Sequence, residues 1–277
     1  MKRPILTITF VSAVISLFTC QVFANKVEPG QQIKGGKFGV VYECAFPNTV
    51  ELDGNLEDQA WALAPWHFVD NITGTGPAPN EADASYAFAA VADEKWLYVA
   101  FKIKDDKIKK GEQVGNNVWQ DDSVEIYIDP NHGETDIYEK KDGKWDSQIT
   151  IGADNIGGKV QAPLLGGSGE GPGTGTFAAV VKAAGGWIVE AGVPLNSPKK
   201  WNMVPKDGMV IGFNTHFNDD DDGGGRDHKL IWSAKDVDDQ SWQNTSRFAD
   251  LKFVRIELSV ASKGKLAIQW GHLKKKL

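Results

Sequence analysis

Apolar and polar residues alternate one by one through several stretches of this chain, and that period of two limits the fold more than any other feature. In Ser123–Asp129 the apolar residues are Val124, Ile126 and Ile128, and residues 96–103 repeat the pattern. Successive side chains of a strand point to opposite faces, so alternation predicts strands with one face on a core and the other in water. Further strands are predicted at 38–45, 84–91, 145–151, 177–182, 187–193, 209–217 and 248–258.

Turn residues separate these strands. Asp142-Gly143 and Gly185-Gly186 are typical of hairpins, and only residues 56–64 look helical, with Asn55 as a candidate N-cap. Residues 154–175 form a glycine-rich loop that we expect on the surface. Many short strands at regular spacing predict an all-β fold, an antiparallel two-sheet β-sandwich of jelly-roll type with one short helix.

The N-terminus has the pattern of a secretory signal. Lys2 and Arg3 precede an apolar stretch over 5–18, and Val22-Phe23-Ala24 supplies the small residues of a cleavage site. We predict a signal peptide over 1–24 and export to the periplasm or the extracellular space, because the apolar run is too short for a membrane span. A lipoprotein attached at Cys20 is the weaker alternative, since Phe18 and Thr19 stand where small residues are required.

The remaining chain divides simply. Residues 25–37 are predicted to be a flexible N-terminus, 38–258 one sandwich domain, and 259–277 an extension with a basic, solvated tail. Without the signal peptide Cys44 is the last cysteine left, so no internal disulfide forms. Removing two basic residues changes the formal charge from −7 to 28 − 37 = −9, and a chain this acidic repels nucleic acid.

Six sequence blocks in order resemble the family 9 carbohydrate-binding modules of secreted glycoside hydrolases. They are LDGNLEDQAW at 52–61, DEKWLYV at 93–99, WQDDSVEIYIDP at 119–130, residues 190–194, residues 211–222, and WQNTSRF at 242–248. The resemblance implies a non-catalytic β-sandwich that holds a sugar between two tryptophans and binds structural calcium. The expected ligand is a polysaccharide or oligosaccharide of glucan or xylan type, and any enzyme partner, such as a secreted glycoside hydrolase, is expected to be a separate chain.

By position, Trp119 and Trp242 correspond to the sugar-stacking pair, and Glu125 to the carboxylate that binds sugar hydroxyls. Gln148 corresponds to an amide of the family site, whereas Asp146 stands where the family has an arginine, which leaves the particular sugar open. Indole rings bury the apolar faces of a pyranose, and carboxylates and amides bind its hydroxyl rim. Both tryptophans follow polar, turn-like segments, which places them in loops.

Two alternatives apply to these residues. Tryptophans are more often structural than ligand-binding, and Trp61, Trp66, Trp96 and Trp187 are assigned to the core. Glu125 also suits a structural ion pair with a lysine or arginine.

An aspartate-rich segment predicts a metal site. The candidate ligands are Asp219, Asp220, Asp221, Asp222 and Asp227, with Asp53 and Asp129 as weaker candidates. Calcium prefers six to eight oxygen ligands, and a cation would relieve the repulsion among neighbouring carboxylates. The alternative is a solvated acidic loop.

No pattern of a catalytic site stands out, so the chain is predicted not to be an enzyme. It has no nucleophile elbow, and its five histidines lack the spacing of a helical zinc site. A haem-binding electron-transfer subunit of related sandwich fold is one rival, with Met203, Met209 and His216 as candidate axial ligands. An envelope interaction domain that binds no sugar is another.

Overall fold

A computed structural model describes residues 39–69, 80–113, 115–141, 143–157, 165–166, 171–197 and 200–256. The predicted signal peptide, the N-terminal segment 25–37 and the extension 259–277 lie outside these residues. The strands within them are β1 Val41–Phe46, β2 His67–Val69, β3 Ala84–Ala92, β4 Trp96–Asp105, β5 Ser123–Asp129, β6 Ser147–Gly152, β7 Leu165–Gly166, β8 Phe177–Ala183, β9 Gly186–Pro194, β10 Asn196–Ser197, β11 Trp201–Asn202, β12 Val210–Asp219, β13 His228–Ile231 and β14 Ala249–Arg255. Short 3₁₀ turns span Gln59–Ala62, Gly115–Gln120, Ala153–Asn155, Gly171–Thr174 and Thr245–Arg247.

The strands form one hydrogen-bonded path that curls into a sandwich. Its order is β7-β6-β5-β12-β14-β1-β3-β4-β9-β8, with β13 paired to the second half of β12 and β2 paired to β3. The predicted β-sandwich is therefore confirmed, and all nine strands expected from the sequence are present. The pairing is antiparallel except at β1, which runs parallel to both β14 and β3. Strands β10 and β11 form a separate two-stranded ribbon.

The core lies between the two halves of this path and is filled by the apolar positions of the alternating strands. Val124, Ile126 and Ile128 are fully buried in it, as predicted. Phe88 and Trp232 pack edge to face at 5.1 Å between ring centroids, and such pairs add to the area that they bury. The Tyr86 hydroxyl donates to the Thr215 carbonyl at 2.7 Å and so ties β3 to β12 across the core.

A second apolar cluster covers the outer face of β3 and β4. Trp61 and Trp66 lie here against the small strand residues Ala87 and Ala89, which leave room for the indoles. The predicted helix over 56–64 is reduced to a single 3₁₀ turn at Gln59–Ala62. This turn is long enough to place the Trp61 indole over β3 and β4.

Glu190 on β9 holds this cover in place. Its carboxylate accepts hydrogen bonds from the Asp53 and Gly54 backbone amides at 2.8 and 2.9 Å and from the Trp61 indole at 2.9 Å. Gly54 has a φ of +77°, and a Cβ there would lie 2.5 Å from Val181 Cγ1. The block at 52–61 is thus a structural motif. Asp53, a weaker metal candidate, accepts from the amide of residue 55 at 2.7 Å and closes a turn.

One of the two predicted hairpins is confirmed and the other is wrong. Strands β8 and β9 form the expected hairpin, with Gly185 at φ +68° in its two-residue loop. The hairpin predicted at Asp142-Gly143 was wrong: β5 and β6 do pair, but residues 130–146 join them as a long connection with no strand among its described residues. The Tyr138 ring of this connection packs on Phe248 at 6.2 Å, and Phe248 in turn packs on Tyr127 of β5 at 5.5 Å. No helix within the described residues is long and apolar enough to cross a membrane.

Candidate functional site

The outer face of β5, β6 and β12 is polar and nevertheless buried. Register places His216 of β12 and Thr150 of β6 on either side of Glu125, and all three side chains are fully buried. Alternation had predicted a face in water. That expectation was wrong, because the loops before β6 and after β13 cover this face, and buried polar groups then require partners within the protein.

Glu125 lies at the centre of this face with both carboxylate oxygens engaged. Oε1 accepts from Gln148 Nε2 at 2.9 Å, while Oε2 accepts from the Tyr127 hydroxyl at 2.5 Å and lies 3.0 Å from His216 Nδ1. The Lys229 ammonium is 3.4 Å from Oε2. Burial acts to raise the pKa of Glu125, but Lys229, His216 and Tyr127 outweigh it and hold the pKa well below its usual range.

His216 joins Glu125 to a second buried acid. Its Nε2 is 3.4 Å from Asp236 Oδ2 and 2.9 Å from Asn214 Nδ2. Burial would raise the pKa of Asp236, yet the contact with His216 and the hydrogen bonds from residues 240 and 241 bring it to about 2. Both imidazole nitrogens thus face partners, which argues against His216 as an axial ligand of haem.

A chain of ion pairs runs from this network to Trp119. Lys229 Nζ is 2.6 Å from Asp239 Oδ1, and Asp239 Oδ2 accepts from Arg226 at 3.1 Å. The Arg226 guanidinium lies over the Trp119 ring, 5.0 Å from its centroid. Asp239 adopts a left-handed φ of +55°, a conformation that costs energy in a residue with a Cβ. Asp239 lies three residues before Trp242. These contacts therefore bring Trp119 to the same end of the sandwich as the Trp242 loop.

The tryptophans of the described residues differ in exposure. Trp242 is 43% exposed and Trp119 is half-buried, whereas the structural assignments Trp61, Trp66 and Trp187 are all buried. Trp96 is half-buried at the start of β4, where its ring meets Phe177 edge to face at 6.2 Å.

The structure separates the two remaining predicted ligand residues. Gln148 belongs to the Glu125 network through its hydrogen bonds to Glu125 and to the Tyr127 hydroxyl, the latter at 3.1 Å. Asp146 precedes β6 and accepts from the Glu139 amide at 2.6 Å, while its Oδ1 has no hydrogen-bond partner. Burial, followed by repulsion from Asp129 and Glu139, raises the pKa of Asp146 to about 8.

The aspartate-rich segment divides into residues that shape its turn and residues that reach other strands. Asp220 accepts from the amides of residues 222 and 223, Asp222 from residue 224, and Asp227 from residue 221. Asp219 instead points into a group with Asp105 of β4 and Asp122, all three fully or almost fully buried. Asp221 pairs with exposed Lys107 at 3.1 Å.

Asp219 lacks any hydrogen-bond partner on either carboxylate oxygen. Burial, followed by repulsion from Asp105, raises its pKa to about 8. The pKa values of Asp105 and Asp122 are raised as well, first by burial. Three buried acids with so little neutralising charge are a favourable setting for a cation.

Sequence reasoning missed several residues of both groups. The alternative of an ion pair between Glu125 and a lysine or arginine is met by Lys229, although neither Lys229 nor His216 was identified from the sequence. Asp105 and Asp122 were not connected to Asp219. One signal was available: Asn214, His216 and Asn218 occupy every second position of β12 and are polar, which is the alternation already seen in β5. Arg226 and Asp239 lie in loops, where no periodic pattern connects them.

Comparison with known proteins identifies the family. A family model described as "Carbohydrate family 9 binding domain-like" matches residues 52–255. Endo-1,4-beta-xylanase A of Thermotoga neapolitana is 31% identical over 225 residues, which are 78% of this chain and 18% of the xylanase. Exoglucanase XynX of Acetivibrio thermocellus is 30% identical over 210 residues, 75% of this chain and 16% of the relative. This chain therefore spans less than a fifth of the length of these relatives.

Solved structures share the fold. A family 9 carbohydrate binding module from Caldicellulosiruptor kristjanssonii in complex with cellotriose superposes with a TM-score of 0.61 at 19% identity, over 80% of this chain and 97% of that one. A module of the same family and organism in complex with glucose gives 0.59 at 20% identity, over 80% and 99%. The resemblance drawn from the six blocks is confirmed, and the chain belongs to the family 9 carbohydrate-binding modules, a non-catalytic family.

Proposed function

We propose that this module binds the sugar rings of a glucan or xylan between Trp119 and Trp242, above the polar network of Glu125. One observation carries the proposal: Trp242 exposes 43% of its surface beside a face whose other side chains are buried, and it is the one exposed tryptophan among the described residues. An indole suits the apolar face of a pyranose, because it covers that face by burying apolar area. Arg226 supports the pairing, since it contacts both Trp119 and the Trp242 loop.

In this arrangement Glu125, which is fully buried with both carboxylate oxygens engaged, supports the site through its neighbours. Its carboxylate fixes Gln148, Tyr127 and His216, and a preorganised site loses less entropy when it binds a ligand. Asp146 accepts its hydrogen bond from the Glu139 amide and not from the Glu125 network, so we assign it no sugar contact.

The related proteins supply the choice of ligand. The relatives are named as xylanases and an exoglucanase, and the structural neighbours hold cellotriose and glucose. We infer that this chain supports carbohydrate catabolism as an exported module acting beside a glycoside hydrolase.

Tryptophan fluorescence titration with cellotriose and xylotriose tests the proposal. Trp242→Ala and Trp119→Ala should each abolish the response while the protein remains folded, because each removes one face of the site. Trp96→Ala is the matched control, because Trp96 is half-buried like Trp119. Trp96 begins β4 and lies about 30 Å along that strand from Asp105, which groups with Asp122 three residues after Trp119. A response retained in both site variants, or a wild type that binds neither sugar, would refute the proposal and favour an interaction domain.

We further propose that Asp219, Asp105 and Asp122 hold a structural calcium ion. The fit rests on the two unpartnered Asp219 oxygens and on the hard, anionic oxygens that calcium prefers. When bound, the ion would neutralise this group and fix the β12 end beside β4. Asp220, Asp222 and Asp227 shape the turn, and Asp221 lies at the edge of the group.

Thermal unfolding with EDTA or calcium tests this second proposal. The folded pKa of Asp219 lies above its unfolded value, so without calcium the stability should fall as pH rises between about 4 and 8. Calcium should remove that decline. Asp219→Asn should abolish the calcium effect, whereas Asp222→Asn, which keeps the oxygen that accepts from residue 224, should not. A calcium effect that survives Asp219→Asn would place the ion elsewhere.

A further inference from the structure

A second group of metal-ligating atoms adjoins the Asp219 carboxylate. Asp83, just before β3, and His228, at the start of β13, each bring a ligand atom within 4.8 Å of the others and of Asp219. The three residues come from distant parts of the sequence, and the aspartate-rich segment alone does not predict their meeting. His228 Nε2 lies 3.9 Å from Asp83 Oδ2, which is too long for a hydrogen bond.

Each residue of this group has a buried polar atom with no hydrogen-bond partner. The atoms are Asp83 Oδ2, His228 Nδ1 and both oxygens of Asp219. Asp83 and Asp219 are 6% and 1% exposed, so water does not supply the missing bonds at the surface. Unpartnered buried polar groups are rare and costly in folded proteins, so the free oxygens of Asp83 and Asp219 point to a missing ligand. His228 faces the same Asp83 oxygen through its other ring nitrogen, Nε2.

Two other groups of histidine with carboxylates show what a satisfied cluster looks like. In one, His132 is 3.0 Å from Asp250, and the Lys235 ammonium, 2.7 Å from Glu134, already supplies a cation. In the other, His216 and Asp236 belong to the ion-pair network of Glu125. In the group of Asp83, Asp219 and His228, the neighbouring cation is Lys107, which acts on the charge of Asp83 but forms its ion pair with Asp221 at 3.1 Å.

We propose that Asp83, Asp219 and His228 form a second cation position, distinct from the calcium position and selective for a zinc-like divalent ion. Imidazole nitrogen is a ligand that zinc and its neighbours prefer, whereas calcium selects oxygen. Asp219 has two unpartnered oxygens, so one carboxylate serves both positions. Three protein ligands leave room for water to complete a tetrahedral zinc site. The proposal does not depend on sugar binding.

The second cation position is tested by titrating zinc into the EDTA-treated full chain in saturating calcium. Calorimetry measures the binding, and metal analysis of the dialysed protein gives the zinc retained per chain. Wild type should retain one zinc per chain, and His228→Gln and Asp83→Asn should each weaken zinc binding at least tenfold. His132→Gln is the matched control, because His132 is a similarly half-buried histidine beside carboxylates, and it should bind zinc as wild type does.

The outcomes separate the two metal proposals. Zinc that fails to bind, that calcium displaces, or that binds His228→Gln as tightly as wild type overturns the second position. If zinc binds through His228 but calcium has no effect on the protein, the second cation position is supported and only the calcium proposal is refuted. Retention of the calcium effect in His228→Gln shows that the variant is folded.

Discussion

The two outer faces of the sandwich are both covered by chain segments, but they are built from opposite kinds of residue. Over β3 and β4 the cover is apolar, with Trp61 and Trp66 packed on alanines. Over β5 and β12 it encloses charged and polar groups, with His216 Nδ1 3.0 Å and Lys229 Nζ 3.4 Å from Glu125 Oε2. Apolar burial stabilises the fold, whereas burying charges is costly even when they are paired. The costly face is therefore the one to which we attribute binding.

Trp61→Ala should give the largest effect, on stability alone. It removes a buried indole and leaves Glu190 without one of its three donors, so we expect a loss of about 3–5 kcal/mol in the free energy of unfolding. Urea unfolding measures this loss. Titration with cellotriose below the unfolding transition should give the wild-type affinity, since the polar face is untouched. Weakened sugar binding in folded Trp61→Ala would show that the two faces are coupled.

The carboxylates of the two faces should respond to pH in opposite directions. The pKa of Glu190 is raised, chiefly by burial, so its contribution to stability is present below the unfolded value of 4.5 and is lost as pH rises above it. The pKa values of Glu125 and Asp236 are lowered, that of Asp236 to about 2, so their contributions are present above the unfolded values and are lost as pH falls below them.

Unfolding measured against pH in Glu190→Gln and Glu125→Gln separates these responses. In calcium, which should suppress the Asp219 response, Glu190→Gln should flatten the decline just above pH 4.5. Glu125→Gln should weaken the acid loss and lower stability near neutral pH, because buried Lys229 then loses one of its two carboxylate partners and keeps only Asp239. Identical pH profiles for both variants would contradict the contrast.

The same contrast explains what sequence alone could predict. Alternation identified β5 with its correct bounds and the inward position of Val124, Ile126 and Ile128, because strand geometry is local. It assigned Glu125 to the other face correctly but expected water there. The alternation of apolar and polar residues predicts on which side of the sheet a side chain lies. Whether that side is exposed depends on loops such as 130–146, which can cover it. The partners His216 and Lys229 depend on strand register across β12 and β13, which requires the folded topology.

Arg226→Lys should give the smallest effect, and it tests whether the ion pairs hold Trp119 for binding. Lysine keeps a positive charge for Asp239 but loses the planar group that covers the indole, and a cation–π contact at a partly exposed site contributes about 0.5–1 kcal/mol. We expect cellotriose to bind roughly two- to fivefold more weakly, by fluorescence titration, with little change in stability.

Arg255→Lys provides the control for that result. Its guanidinium also lies over an aromatic ring, 5.6 Å from the centroid of Phe46, but at the end of β14 and outside the candidate site. If Arg226 acts only as a surface stabiliser, both variants should lose similar stability and neither should lose affinity. A loss of affinity confined to Arg226→Lys would instead identify Arg226 as a positioning residue, because the ring that it covers is the one that we expect to meet the sugar.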